Sequence, residues 1–328
     1  MHSNLRIAFL LLVSIAFFFG CEKEITVDLP EAGGQIVVEG SIEQGQPPII
    51  FLTRSQGYFE PIDLNGLASL IIRDAIVTVG NGTSTVELTE ICASELTEEQ
   101  LPLVAELTGF TPEELAQADI CVYSTFDQSV WGEPNRIYDL RIEAGDEVVT
   151  SRTKINTPIP LDSLWFEIPG EDPEDSLGFI YGILTDPDTI GNAYRWFAKR
   201  ENRYPEWSQY AGDFKDESYI APLGSAIDDL FFNGLSFEFG YFRGTAANST
   251  KVDDFNEEAG FFKLGDTVAV RGTVIDRAAL AFITAMEDQA AGQGSPFANP
   301  ANIPSNIEGG LGAWIGYGAV YDTVICVP

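Results

Sequence analysis

The sequence predicts a mainly β protein built from two Ig-like β-sandwich domains, and three observations predict it. Apolar residues alternate with polar ones in short stretches closed by Gly, Pro, Asn or Asp, the period of a strand buried on one face. The 328 residues are 45% hydrophobic and 12% aromatic, enough for a packed core and unlike a disordered acidic chain. Midway, Pro158 and Pro160 remove ladder donors and mark an extended linker between two sets of strands.

The chain opens with a leader. Met1 to Arg6 is short and basic, and the apolar run that follows to Phe19 is broken only by Ser14. As a helix that run is about 20 Å long, short of a hydrocarbon core of about 30 Å, so it reads as the apolar region of a signal peptide. Phe18-Phe19-Gly20-Cys21 resembles a bacterial lipoprotein cleavage box, with Phe18 in place of the usual leucine and Phe19 in place of a small residue. An ordinary secretory leader ending near a cysteine is the other reading of these residues. With Cys21 diacylated, the chain is moored to a bilayer, since two acyl chains hold stably. The acidic tether Glu22-Lys23-Glu24 resembles the signal that sorts Bacteroidota lipoproteins to the outer face of the outer membrane.

The first domain follows. Strands are expected at 35–40, 48–53, 75–79 and 85–88, with Asn81-Gly82 turning the last two into a hairpin. Two more, at 136–142 and 147–155, fold about Ala144-Gly145-Asp146. Between them Cys92 and Cys121 bracket an excursion, 93–120, whose ends return to one sheet. A disulfide there is geometrically natural and would close a loop worth about 3–4 kcal/mol. Within it Thr111-Pro112-Glu113-Glu114 is a capping box with proline at the first helical position, and 101–107 reads as a second helical piece. This insertion is either a lid facing a partner or an ornament. Cys326, on an apolar final strand, reads as a small buried hydrophobe.

The second domain repeats the strand pattern at 163–168, 178–185, 193–199, 235–239 and 267–275, and ends with a strand at 313–326. One helix interrupts it, from an Asp276 N-cap through 277–291 to Gly292, with Ala279, Leu280, Ile283 and Met286 on a shared face. Trp165, Trp196 and Trp131 read as core. The expected organisation is a signal peptide over 1–20, a tether over 21–34, a β-sandwich over 35–157 carrying the insertion, and a β-rich domain over 158–328 carrying the helix.

Charge narrows the function. With 18 Lys+Arg against 50 Asp+Glu the net charge is −32, the wrong field for nucleic acid. The one histidine, His2, lies in the leader, so a processed chain builds neither a Ser-His-Asp triad nor a His-ligated metal site. No catalytic residue is nominated. Glu171-Asp172-Pro173-Glu174-Asp175 reads as a solvated charge run. Asp186-Pro187-Asp188 and Asp253-Asp254 offer oxygen ligands for calcium without matching its twelve-residue loop, and no other cofactor is expected. Tyr204, Trp207 and Tyr210 stand in a polar stretch, where they either face a ligand or partner or plug the end of the second sandwich.

Several stretches together resemble one family: Val37-Val38-Glu39-Gly40; Tyr138, Leu140, Ile142 and Gly145; Pro158-Ile159-Pro160 with Asp162-Ser163-Leu164; Ser295-Pro296-Phe297; and Ser305-Asn306-Ile307-Glu308-Gly309-Gly310. In this order they resemble the Bacteroidota lipoproteins grouped as domain of unknown function 4249. Ser295 departs from an expected asparagine, and Ala313-Trp314 from Ile-Phe. The resemblance implies a surface lipoprotein acting as external partner of a TonB-dependent receptor in ligand capture or uptake, and it carries no catalytic residues. The alternatives are a carboxylate-based hydrolase and an adhesin or envelope structural protein.

Overall fold

Alternation in the first strand sets the architecture. Ile36, Val38 and Ile42 point to one side and are fully buried, while Val37, Glu39 and Ser41 point to the other. In the computed structural model the described residues are 34–56, 64–101, 104–105, 111–170, 176–208, 210–244, 260–291 and 302–327. Cys21 and the expected leader lie outside them, as do the tether up to residue 33, the 171–175 charge run and Asp253-Asp254.

In chain order the elements are β1 (Ile36–Glu43), β2 (Ile49–Arg54), α1 (Leu64–Leu70), β3 (Ile76–Gly80), β4 (Thr85–Glu87), β5 (Thr89–Cys92), α2 (Pro112–Ala118) and β6 (Cys121–Ser124). Then come β7 (Ile137–Ala144), β8 (Glu147–Lys154), β9 (Ser163–Glu167), β10 (Leu177–Thr185), β11 (Ala193–Arg200), β12 (Ala226–Asp228) and β13 (Ser236–Tyr241). The last are β14 (Phe262–Lys263), β15 (Thr267–Ile275), α3 (Arg277–Ala291), β16 (Ile307–Glu308) and β17 (Leu311–Ile325). The mainly β class is therefore what the chain adopts.

The strands form three sheets. One has eight strands in the order β12-β11-β15-β17-β1-β2-β6-β5; a second has five, β16-β8-β7-β3-β4; a third has four, with β10 joining β9, β13 and β14. One face of the large sheet packs on both small sheets. Ile36, Val38, Leu52 and Trp314 meet Val77, Leu140, Ile142 and Ile307 in one core, and Trp196, Val268, Val270 and Val324 meet Phe166, Ile180 and Phe262 in another. Cys326 belongs to the second core, and burial pushes its thiol up to about 12.

The large sheet spans the expected boundary at 157/158. β17 is the reason: it pairs parallel with β1 and antiparallel with β15, so the strands of the two halves lie side by side in one sheet and 33–328 form a single compact unit. The proline stretch after β8 instead crosses the face of β17. A Cβ on Gly316 would sit 2.6 Å from the Lys154 carbonyl oxygen, and one on Gly318 would sit 2.2 Å from that of Asn156. Glycine there lets the connecting backbone lie flat on the strand.

The helices cover the other face. Thr111 Oγ accepts from the Glu114 N–H at 3.1 Å while the Glu114 carboxylate accepts from the Thr111 N–H at 2.9 Å, fixing the start of α2. Asp276 caps α3 by accepting from the Ala279 N–H at 2.7 Å. Cys92 lies opposite Cys121 in the β5–β6 pairing and is disulfide-bonded to it. The insertion packs on Phe51 and Val122 through Ala105, Leu115, Ala118 and Ile120; α3 packs on Ala193, Ile275, Ala313 and Ile315. Among the described residues no helix is long and apolar enough to cross a membrane.

Candidate functional site: a trench on the open face of the large sheet

The two helical covers stand at opposite ends of one sheet face, and the strands between them stay open. Side chains of odd-numbered residues on β1, β2, β11 and β17 make the floor. Beside α3 the floor sinks into a hollow of about 300 Å³ lined by Glu39, Ser41, Phe51, Arg195, Phe197 and Tyr317, with Phe282 and Ile283 as its wall. Beside the insertion a second hollow of about 430 Å³ is lined by Pro47, Ile91, Leu96, Val104, Val122 and Phe126. Ile49 lines both, so the two hollows adjoin and together make a trench. From β11 to β5 it crosses six strand spacings, about 29 Å at a spacing near 4.8 Å.

Charge in the trench is mostly neutralised from within. Arg195 pairs with Glu287 of α3 at 3.1 Å. Arg271 lies 4.6 Å over the Phe197 ring and 4.8 Å over Tyr317, and its guanidinium pairs with Glu43, which also accepts from the Tyr321 hydroxyl. Glu39 differs. Its cross-strand neighbours, Ala313 and Phe51, carry no charge, and its side chain is exposed at the rim of the hollow. Burial holds its pKa above the ordinary glutamate value.

Because the folded chain raises this pKa, the stabilising neutral form is complete below the unfolded value, about 4.3, and its benefit is lost as pH rises through the folded value. Glu39→Gln is expected to raise the melting temperature at pH 7 and to leave it unchanged at pH 4. Thermal unfolding at the two pH values checks this; destabilisation at pH 7 would contradict it.

The aromatic loop lies apart from the trench. Tyr204 and Tyr210 sit 5.6 Å apart, centroid to centroid, and tilted, each half-buried. Trp207 alone is presented to solvent, at 87% exposure. The loop leaves β11 through Arg203 and returns through Phe214, the Arg203 guanidinium lying 3.8 Å over the Phe214 ring. Trp165 is not core either: it stacks on Tyr181 at 5.8 Å on the outer face of the third sheet, whereas Trp196 is buried as expected.

Two features escape a reading of the sequence. Arg200, Asp216 and Arg243 form a fully buried cluster beneath the aromatic loop. The second is an exposed apolar tip. Phe231 is 89% and Ile190 80% exposed, and Leu230 and Leu235 are mostly exposed too. They stand on two loops joined by buried carboxylates. Asp229 accepts from the Gly191 and Asn192 N–H groups at 2.7 and 2.8 Å; Asp186 accepts from the Gly234 N–H at 3.0 Å and from the Tyr194 hydroxyl. Asp186, a candidate calcium ligand in the sequence, thus spends its oxygens on protein donors. Among the described residues the grouping of metal-type donors is Glu90 with Cys92 and Cys121, and the disulfide takes both sulfurs. A void of about 40 Å³ between Trp196, Phe237 and Phe239 is room for about one water.

A family model described as "Domain of unknown function (DUF4249)" matches residues 22–321. Comparison with curated proteins finds no match. Among solved structures, the cycloalternan-degrading enzyme from Trueperella pyogenes, in complex with cycloalternan, matches at 11% identity and a TM-score of 0.22, over 73% of this chain and 30% of that one. A variant of Salmonella alpha-2-macroglobulin matches at 8% identity and a TM-score of 0.19, over 94% of this chain and 16% of that one.

Proposed function

The chain belongs to the DUF4249 family, and we propose that it works as a non-enzymatic binding module, lipid-anchored through Cys21 at the surface of a bacterial outer membrane, beside a TonB-dependent receptor. The observation that carries the binding role is the trench: an open, aromatic-floored groove between two helical walls on an otherwise covered sheet. Concave apolar surfaces with a few polar groups are where ligands are held. The apolar tip supports a docked partner, because a monomeric surface rarely shows large apolar side chains on a stiff scaffold.

A carboxylate-based hydrolase fits less well. Glu43, four residues along the same strand from Glu39, lies about 13 Å away. Paired carboxylates for glycoside hydrolysis sit about 5–9.5 Å apart. Glu43 is also engaged by Arg271 and Tyr321.

The test is extraction of the full-length chain from native outer membranes in mild detergent. The wild type is expected to leave the membrane in complex with a large β-barrel receptor. Phe231→Asp is expected to lose at least about 90% of that partner while unfolding at the wild-type temperature. Recovery of the wild-type chain alone would overturn the reading.

A further inference from the structure

We propose that the trench is a site for an extended peptide segment carrying a lysine or arginine between apolar residues, with Glu39 as the group that receives the cation. The inference rests on the binding role above and names what is bound.

Charge complementarity selects the occupant. Arg195 has Glu287 and Arg271 has Glu43, so each trench cation already faces an acid. Glu39 lies between Ala313 and Phe51 and is left as the uncompensated charge on the floor. A ligand cation placed there would form a charge-assisted pair with that carboxylate beside the apolar wall of the hollow. Phe51, Phe282 and Tyr317 supply apolar and aromatic surface around it. A second cation on Arg195's side is repelled, and an acidic ligand meets a chain of net charge −32.

The shape selects a chain over a compact molecule. The trench runs about 29 Å across the strands, the span of roughly nine extended residues. Its margins carry Ser41 and Gln100, whose polar groups can meet peptide amides.

The groups facing Glu39 from packed elements decide its pH behaviour. Arg195 and Tyr317 face it from β11 and β17, and Tyr317, its pKa raised by burial, stays neutral at acid and neutral pH. Binding of a cation is therefore expected to be strongest above the folded pKa of Glu39 and to weaken as pH falls through it.

Calorimetry on the full chain with three capped tripeptides tests this: acetyl-leucyl-lysyl-phenylalanine amide, its norleucyl counterpart and its glutamyl counterpart. The lysyl peptide is expected to bind at least about tenfold more tightly than the norleucyl one, the worth of one charge-assisted hydrogen bond. The glutamyl peptide is expected to bind most weakly, and Glu39→Gln, which keeps the fold, is expected to abolish the preference. Equal binding of lysyl and norleucyl peptides, a preference that survives Glu39→Gln, or no binding of any peptide would overturn the inference. Receptor co-extraction is read separately: its persistence beside failed peptide binding sinks only this inference, whereas its absence sinks the broader reading.

Discussion

Truncating Trp314 to alanine is expected to lower the unfolding free energy by about 3–5 kcal/mol, the cost of emptying a buried aromatic site. Trp314 is fully buried where β17 meets the five-stranded sheet, and its indole N–H donates to the Tyr138 carbonyl at 3.2 Å. The surroundings are built around it. A Cβ on Gly40 would fall 2.7 Å from the indole, so glycine at that point of β1 makes room for the ring. The Asn306 side chain clamps the Trp314 backbone, accepting from its N–H at 2.9 Å and donating to its carbonyl at 2.7 Å. Collapse cannot fill the gap, because both sheets are held by their own ladders. Urea unfolding measures the loss. Trp314→Phe should recover most of it, and Trp207→Ala, at an exposed ring, should stay within about 0.5 kcal/mol of wild type. A loss under about 1 kcal/mol for Trp314→Ala would mean that the two sheets do not share this core.

Asp216→Ala is expected to cost a similar amount, about 3–5 kcal/mol, by stripping two buried guanidinium groups of their carboxylate. The Arg200 Nε and Nη2 groups donate to the two Asp216 oxygens at 3.0 and 2.9 Å, its backbone N–H adds a bond at 2.9 Å, and Arg243 Nη1 donates at 3.1 Å. All three side chains are fully buried. The cluster ties β11, the return of the aromatic loop and the end of β13 together, so its loss should loosen that end of the molecule first. Asp216→Asn keeps the shape and removes the charge, and should fall between wild type and Asp216→Ala. Urea unfolding with proteolysis at the 201–219 loop reads both; an unchanged midpoint for Asp216→Ala would show the cluster to be solvated.

Much of the local structure is legible in the sequence because its causes are local. The capping box at Thr111 and Glu114, the Asp276 cap and the alternation along β7 and β8 each name their element from a few neighbours. What pairs with what is not local. Nothing near β17 announces that its first half will lie beside β1 and its second beside β15, and that one strand turns two expected sandwiches into a shared sheet. The glycines that allow it, at 316 and 318, read in sequence only as weak points of a strand.

The site was legible only in part, for the same reason. Glu39 stands in a Val-Val-Glu-Gly stretch that marks the family, yet its position on a trench floor depends on Phe51, Arg195 and Tyr317 from three other strands. Rings at 204, 207 and 210, close in sequence, read either as a binding face or as a plug; in the fold two of them pair with each other and Trp207 is exposed. The apolar tip arises from residues some 40 positions apart, joined by Asp229 and by Asp186, which a sequence reading offers to calcium.

Hydroxyl-radical footprinting of the chain in its native envelope, against the purified chain, tests the central claim most directly. If the open sheet face is the working surface, Phe126, Phe197, Phe282 and Tyr317 are protected from oxidation in the envelope, while Trp165 and Tyr181 on the far sheet are labelled equally in both. Equal labelling of the trench aromatics in the two states, with protection confined to the far sheet, would contradict it.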